Sequence, residues 1–366
     1  MEGRSPTKHL KENHSVVELD QDPDAIEMGS AETTEMPEPV VDFDIRLRGR
    51  SILTDTDLSP AEIVEILDTA TTLKDLRRHG ISYPWLAGKT LGMIFQHPST
   101  RTRTAFQAGM EQLGGQAIFL GVQDLQLKRG ETIRDTAAMF SRYVSAVAAR
   151  ISDPNDLNEF AAGSQVPVFN GLTSINHPIE ALSDVMTLRE RFGHLQGLNF
   201  AYLGDGNNVS HSLLLSCSAV GVNVRFAGPE AFQPDVRIVE QARQLAALSG
   251  ATVTITDDPF EAVSGADAVY TDVHESMGET VIPGKLMALA PYRVTKGIMV
   301  VAKPTAVFMH CLPLHRGQEV EAAVADGPQS IIFDQAENRL HVHKAVLLQV
   351  LHEERWVDRA EPVLIA

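Results

Sequence analysis

Short apolar runs alternate with amphipathic stretches of helical period from Arg46 onward. The run Lys89-Thr-Leu-Gly-Met-Ile-Phe95 predicts a strand, and the apolar spacing over residues 104–113 predicts a helix that Gly114-Gly115 ends. The same reasoning predicts a helix over 209–220 and further strands over 116–121, 146–151, 165–170, 198–204, 223–227, 252–256, 268–272, 307–311 and 330–334. Strands that alternate with helices indicate an α/β fold of mostly parallel sheets flanked by helices.

A helical pattern over residues 178–192 separates two such series and predicts a domain junction. The chain has 366 residues, 43% of them hydrophobic, which is enough for two hydrophobic cores. Two α/β domains are therefore expected.

Residues 1–44 differ from the rest of the chain in composition and charge. They carry twelve acidic and three basic residues, a net charge of −9 out of −17 for the whole chain, and few aromatic residues. This composition predicts a disordered extension that is dispensable for folding, either an inert tail or a partner-binding arm. The acidic balance argues against nucleic acid and anionic membranes as partners.

The cysteine content and the hydropathy of the chain predict a cytoplasmic protein. Only Cys217 and Cys311 are present, so neither a disulfide framework nor a cysteine-rich metal site is indicated. Apolar runs stay well short of the roughly 20 residues that cross a bilayer, and no signal peptide pattern precedes the first domain.

The segment Ser99-Thr100-Arg101-Thr102-Arg103 lies between a predicted strand and a predicted helix. Free N–H groups of a first helical turn, the helix dipole, hydroxyl donors and two-pronged guanidinium groups all favour a phosphate group. The alternative is a capped helix with solvated arginines. The phosphate site is favoured because one hydroxyl would suffice for a cap.

Two further motifs end predicted strands, where ligand sites gather in open parallel sheets. In His310-Cys311-Leu312-Pro313, Cys311 is interpreted as a polar contact, with a buried structural role and a nucleophilic role as alternatives. Gly204-Asp-Gly-Asn-Asn208 lacks the third glycine of a dinucleotide fingerprint, and its paired asparagines suit a zwitterionic ligand better.

Taken together, these motifs resemble those of the aspartate/ornithine carbamoyltransferase family, and the ornithine branch most closely. Six motifs occur in family order: Ser99-Thr-Arg-Thr-Arg103, His177-Pro178, Gly204-Asp-Gly-Asn-Asn208, Ser276-Met-Gly278, His310-Cys-Leu-Pro313 and Asp334-Gln-Ala-Glu-Asn-Arg339. The resemblance implies carbamoyl transfer from carbamoyl phosphate to the side-chain amine of ornithine, in a homotrimer that needs neither metal nor cofactor. It also implies a carbamoyl phosphate domain over 45–182, an amino-acid domain over 183–338 and a C-terminal helix over 339–366 that returns to the first domain.

The resemblance also implies the site residues. For carbamoyl phosphate they are Ser99, Thr100, Arg101, Thr102, Gln126 from a neighbouring subunit, Arg150, His177, Glu180, Cys311, Leu312 and Arg339. For the amino acid they are Asn208, Asp272, Ser276 and Met277, and the catalytic set is Arg150, His177, Cys311 and Arg339. Structural alternatives stay open for several of them: a solvated strand end for Arg150, a helix cap for His177, a turn for Asp272, a surface ion pair with Glu337 or Asp334 for Arg339, and a plain loop residue for Gln126.

The sequence departs from the family pattern at three places near the amine. Glu180 stands where the family usually has Gln, His274 stands where ornithine enzymes usually have Trp, and the segment after Gly278 is shorter. An ionised Glu180 would oppose charge on the carbamoyl oxygen unless a protonated His177 or a cationic acceptor compensates it, or it points away. Alternative functions are therefore carbamoyl transfer to another diamino acid or polyamine, and a non-catalytic binding or regulatory role.

Overall fold

Parallel β-strands connected by helices form two sheets, and these sheets position the candidate site. The computed structural model describes residues 43–275, 281–353 and 363–364, so most of the predicted extension, residues 1–42, lies outside the described residues. Phe43 and Asp44 belong to the folded body: the Phe43 ring packs edge-on against Trp85 at 5.2 Å, and the Asp44 carbonyl accepts a hydrogen bond from Gln349.

The first sheet has four parallel strands in the order β3-β2-β4-β5. These strands are β2 (Thr90–Phe95), β3 (Gln116–Gly121), β4 (Ala146–Arg150) and β5 (Val168–Leu172). The helices that accompany this sheet are α1 (Pro60–Arg78), α2 (Thr100–Gln112), α3 (Ile133–Phe140) and α4 (Pro154–Gly163). A short antiparallel pair, β1 (Ile81–Ser82) with β11 (Val363–Leu364), lies apart from it.

The second sheet has five parallel strands in the order β10-β9-β6-β7-β8. The strands are β6 (Asn199–Leu203), β7 (Asn223–Ala227), β8 (Val253–Thr256), β9 (Ala268–Thr271) and β10 (Val307–Met309). The helices along this part of the chain are α6 (Asn208–Ala219), α7 (Val236–Ser249), α8 (Pro259–Val263), α9 (Lys285–Leu289), α10 (Lys296–Val301) and α11 (Ala322–Ala325). The predicted fold class, two mostly parallel sheets flanked by helices, is confirmed.

Two long helices, α5 (Pro178–Phe192) and α12 (Ile332–Leu351), lie side by side and join the sheets. Helix α12 also packs on α1 and α2: Gln349 donates to Thr69, and His343 meets the Phe106 ring edge-on at 4.5 Å. The predicted strand over 330–334 is wrong, because only Ser330 pairs with Phe308 and the following apolar residues begin α12. Among the described helices, none has the length and apolar composition that a membrane span requires.

In each sheet, the strands are added first on one side of a starting strand and then on the other; the starting strand is β2 in the first sheet and β6 in the second. The loops at the carboxyl ends of the strands beside this switch point form a crevice. In the first sheet, the loop after β2 leads into α2 and β4 ends at Arg150. In the second, the loops after β6 and β9 carry Asn207 and Asp272. The candidate site is built from these loops and from α5 and α12.

Candidate active site

Helix α2 presents its amino terminus to the site. Ser99 occupies the N-cap position with extended backbone, and within the described residues its hydroxyl makes no capping hydrogen bond. Thr100 and Arg101 form the first turn, and Thr102 is buried. The helix begins four residues before its predicted start, because the first turn faces the crevice instead of the core and so lacks the apolar period. Its free N–H groups leave an anion-binding position here.

Three arginines converge near this helix end. Arg339, on α12, donates from Nη2 to Thr102 Oγ1 at 2.8 Å. Arg150, at the end of β4, is buried, with Nη1 3.5 Å from the Gly171 carbonyl oxygen. Burial and the charge of Arg339 lower the pKa of both Arg101 and Arg150, the latter to about 10. These mutual shifts show that the three guanidinium groups lie within electrostatic reach of one another.

Each of these arginines has a buried nitrogen available for a ligand. Among the described residues, Nε of Arg101, Arg150 and Arg339 is buried without a hydrogen-bond partner. Buried donors in folded proteins are almost always paired, so a group of unpaired ones predicts an anionic ligand. The solvated alternative for Arg150 and the surface ion pair for Arg339 are both excluded by burial.

Glu180 points into the arginine cluster. Its Oε2 lies 2.6 Å from Arg339 Nη2 and 3.2 Å from His177 Nε2, and its side chain is 3% exposed. Burial raises the pKa of Glu180, while Arg339, Arg101 and Arg150 act in the opposite direction. The compensation for its charge comes from Arg339, a possibility not among those expected from the sequence.

His177 precedes α5 and is held by its backbone. Its N–H donates to Ser212 Oγ at 2.8 Å, and Ser212 donates to buried Asp55 at 2.8 Å. Burial, followed by the charges of Arg339 and Arg150, holds the pKa of His177 well below its usual range. The imidazole is therefore neutral at pH 7, and the protonated His177 considered from the sequence is not supported. His177 does occupy the N-cap position of α5, as the helix-cap alternative proposed, and its carbonyl accepts the Glu180 N–H. In the described structure its ring makes no cap hydrogen bond, which leaves the imidazole available to the site.

The second half of the site is formed by the ends of β9 and β10. Cys311 donates from Sγ to Asp272 Oδ1 at 3.0 Å, and Asn207 donates from Nδ2 to Asp272 Oδ2 at 2.8 Å. Asp272 also accepts the Val273 N–H, which is the turn contact expected for a residue at a strand end. Burial, with Asp272 next in effect, raises the pKa of Cys311 well above its usual range, so it is a thiol donor. A thiolate nucleophile is disfavoured.

Other predicted contacts lie around this half. Leu312 is partly buried, has a left-handed backbone with φ of 60°, and donates its N–H to His310 Nδ1 at 2.8 Å. Asn208 donates to the Thr173 carbonyl at 2.6 Å, toward the first sheet. His274 is buried, and burial lowers its pKa to about 4.

Two predicted residues lie outside the described part of the chain, and a third is exposed. Ser276 and Met277 lie outside the described residues. Gln126 begins a 3-10 turn over Gln126–Arg129 and is exposed.

One set of side chains has the composition of a cation site. Ligand atoms of Asp272, His310 and Cys311 lie within 4.8 Å of one another. His310 Nδ1 already accepts the Leu312 N–H and the Cys311 thiol donates to Asp272, so the donor set is committed to internal hydrogen bonds. These residues do not fit a resident metal as they are arranged.

Several supporting residues were missed from the sequence. Asn207 holds Asp272 and caps α6, while Ser212 and Asp55 hold the His177 backbone. Only Asn207 carried a signal, as the first of the paired asparagines. The others act across long sequence separations that hydrophobic periodicity does not reveal.

The fold and the site define a two-sheet α/β protein with a buried arginine cluster beside a polar cluster at the second sheet. The chain belongs to the aspartate/ornithine carbamoyltransferase family: residues 50–190 match the carbamoyl-P binding domain and residues 196–350 match the Asp/Orn binding domain. It is a carbamoyltransferase, as the sequence predicts.

Known proteins of similar sequence and structure carry the ornithine name. The chain is 47% identical over 308 residues to the anabolic ornithine carbamoyltransferase of Pyrococcus furiosus, covering 84% of this chain and 98% of that protein. It is 46% identical over 308 residues to the ornithine carbamoyltransferase of Bacillus subtilis, covering 84% and 95%. The solved Pyrococcus furiosus ornithine carbamoyltransferase superposes with a TM-score of 0.81 over 83% of this chain and 97% of that chain.

Proposed function

We propose that this carbamoyltransferase transfers the carbamoyl group of carbamoyl phosphate to the side-chain amine of ornithine, giving citrulline and phosphate. The observation that carries the proposal is the convergence of Arg101, Arg150 and Arg339 on the amino terminus of α2, next to the Asp272–Cys311 pair. An anion site and an amine site side by side are what this reaction needs. The ornithine carbamoyltransferases 46–47% identical to the chain support ornithine as the acceptor.

The phosphate of the donor substrate is assigned to Ser99, Thr100, Arg101 and Thr102. Helix N–H groups and a guanidinium fork bind phosphate oxygens through charge-assisted hydrogen bonds. The carbamoyl end then lies toward Arg150, His177 and Arg339. A neutral His177, with Nε2 3.2 Å from Glu180, lies at this end without adding a charge that must be desolvated.

The amine is assigned to the second half of the site, with Asn208, Asp272, Ser276 and Met277 as its contacts. The neutral amine attacks the carbamoyl carbon, negative charge grows on the carbamoyl oxygen, and phosphate leaves as it accepts the amine proton. Preorganised positive charge stabilises that oxygen, and positioning of the two substrates supplies most of the remaining acceleration. Cys311 and Leu312 lie beside the reacting groups.

The domain limits stay part of the proposal: 45–182 for carbamoyl phosphate, 183–338 for the amino acid, and a returning C-terminal segment over 339–366. A helix over that whole segment is wrong, because α12 runs from Ile332 to Leu351 and Val363–Leu364 form β11. We also propose the biosynthetic direction, which the name of the anabolic relative supports. A cytoplasmic location is supported by Cys217 and Cys311, which are both free and buried.

The acceptor is tested by measuring citrulline and carbamylated products with ornithine, lysine and putrescine at saturating carbamoyl phosphate. Ornithine should give the highest kcat/KM. A higher kcat/KM with lysine or putrescine would identify that amine, and not ornithine, as the acceptor. Carbamoyl phosphate binding without any product would indicate the non-catalytic alternative.

Replacing Arg101 with Ala tests the phosphate assignment. The dissociation constant for carbamoyl phosphate should rise by about 30-fold to 1,000-fold, because a charge-assisted contact of about 2–4 kcal/mol is lost. The matched control is Arg103→Ala on the same helix, where the exposed guanidinium stacks on Phe119 at 3.6 Å. Isothermal titration that gives equal affinity for a folded Arg101→Ala variant and the parent would refute the assignment.

A further inference from the structure

A buried glutamine on α12 uses both ends of its side-chain amide next to the acceptor half of the site. Gln335 is 1% exposed. Its Oε1 accepts the backbone N–H of His310 at 2.9 Å, and its Nε2 donates to Asp184 Oδ1 at 2.6 Å. The contact with Asp184 spans 151 positions of sequence and connects α12 to α5.

The orientation of this amide is determined by its neighbours. Asp184 is fully buried, and its second oxygen accepts the hydroxyl of Tyr270 at 3.0 Å, while that hydroxyl lies 3.3 Å from Gln335 Nε2. The Asp184 oxygens accept these hydrogen bonds, so the NH2 end of Gln335 faces Asp184. The carbonyl end must then face His310.

The His310 N–H needs this acceptor because of where β10 ends. The last register pair between β10 and β9 joins Met309 and Tyr270, so the next N–H lies beyond the ladder. A buried backbone N–H without an acceptor is costly and leaves the chain free to shift. The following residue, Cys311, then donates to Asp272, which itself follows β9.

The same two helices carry the other half of the site. Glu180 lies one turn before Asp184 on α5, and Arg339 lies one turn after Gln335 on α12. The Glu180–Arg339 pair and the Asp184–Gln335 pair are therefore adjacent cross-links between these helices. One cross-link reaches the arginine cluster and the other reaches the end of β10.

We propose that Gln335 is a positioning residue for the amine half of the site, which it serves by holding the His310 backbone so that Cys311 and Leu312 face the acceptor beside Asp272. This proposal rests on the proposed function, since it assigns the amine to that half. The effect falls mainly on the acceptor step. The affinity for carbamoyl phosphate is assigned chiefly to charge-assisted contacts of its phosphate with the α2 terminus and the arginines, whereas Cys311 and Leu312 contact only its carbamoyl end.

The test is Gln335→Met, which keeps the approximate volume of the side chain and removes both hydrogen bonds. With ornithine, kcat/KM should fall at least tenfold, while the dissociation constant for carbamoyl phosphate stays within twofold of the parent value. The matched control is Gln329→Met, because Gln329 donates to the Ala306 carbonyl beside the opposite end of β10. That control removes a hydrogen bond at the other end of the same strand and should leave both kinetic quantities within twofold.

A milder variant covers the case in which Gln335→Met does not fold. Tyr270→Phe keeps the ring and removes the hydroxyl that holds Asp184, and it should lower kcat/KM for ornithine by two- to fivefold without changing carbamoyl phosphate affinity. Equal loss of carbamoyl phosphate binding, or ornithine kinetics like those of the Gln329 control, would overturn the proposal. Each kinetic value is divided by the value for the parent enzyme with the same amine. If the parent is inactive on ornithine but active on another amine, the proposed function is contradicted. The role of Gln335 is then tested with the amine that the parent uses.

Discussion

At the scale of single residues, the pair of Glu180 and Arg339 sets the charge next to the transferred group. Because the carboxylate lies 2.6 Å from the guanidinium in a buried position, it orients Arg339 and offsets part of the positive charge of the cluster. The carboxylate is thus a structural partner of the arginine that contacts Thr102. Its replacement should therefore be harmful.

Glu180→Gln should lower turnover with the true acceptor about tenfold, because the loss of a hydrogen bond between charged groups costs about 1.5 kcal/mol. Steady-state kinetics with the amine panel measures the effect. Glu337→Gln is the matched control, because Glu337 is half-exposed and is the surface partner first considered for Arg339. A Glu180→Gln enzyme at least as active as the parent on every amine would contradict the role of the carboxylate.

At the scale of elements, the 3-10 turn Asp55–Asp57 is tied to α6 and to the start of α5 through one buried carboxylate. Burial raises the pKa of Asp55 from 3.8 to about 6, while hydrogen bonds from Ser212 and other groups oppose the shift. The folded protein therefore binds this proton more tightly than the unfolded chain does. Stability from this group is complete below about pH 4 and is lost as the pH rises toward 6.

Asp55→Asn should remove that pH dependence. The free energy of unfolding of the variant, relative to the parent, should increase by about 3 kcal/mol between pH 4 and pH 7. Urea denaturation at a series of pH values measures the difference. Parallel pH profiles for the two proteins would show that Asp55 does not titrate in this range.

The elements also show what a sequence can predict. Strands β3 and β7 match their predicted limits: β3 contains a central apolar run, and in β7 apolar Val224 and Phe226 alternate with polar residues. The segment over 330–334 was predicted as a strand because three apolar residues in a row fit a strand and a helix start equally well, and α12 begins there instead. The hydrophobic pattern indicates which residues of a segment are buried, but it does not indicate which element of the fold covers them.

For the site residues too, the sequence predicts local motifs but not contacts between distant segments. The resemblance to the family predicts Arg101, Arg150, His177, Asp272, Cys311 and Arg339 as site residues, and the structure brings their side chains near one another. Gln335 stood inside the Asp334–Arg339 motif without an assigned role, and Asp184 was not singled out, because their hydrogen bond spans 151 positions and has no local signature. The ion pair of Glu180 with Arg339 escaped detection for the same reason.

At the scale of the whole molecule, the homotrimer that the family resemblance implies would give the exposed Gln126 a role. The residue is exposed after β3, an edge strand on which Ile118 is 48% exposed. An apolar residue on an uncovered edge favours burial against another subunit. Gln126 would then contact carbamoyl phosphate bound by the neighbour.

Light scattering should give three times the chain mass of 39.9 kDa. Gln126→Ala should weaken carbamoyl phosphate binding by about two- to tenfold, the worth of one hydrogen bond, and Gln116→Ala, also exposed on β3, should not. Mixed and reassembled Arg101→Ala and Gln126→Ala subunits should recover activity at low carbamoyl phosphate, since some sites then contain both native residues. A monomer, or no recovery in mixed trimers, would contradict a shared site.

The place of α12 in the chain has a consequence for how the enzyme is made. This helix supplies Arg339 to one half of the site and Gln335 to the other, although both strands that end at those halves are synthesised earlier. A nascent chain on the ribosome therefore carries both sheets before it has a working centre. Premature termination ahead of α12 leaves a polypeptide without Arg339, without Gln335 and without the helix that packs on α1, α2 and α5. We therefore expect carbamoyl transfer only from chains whose translation has passed this helix.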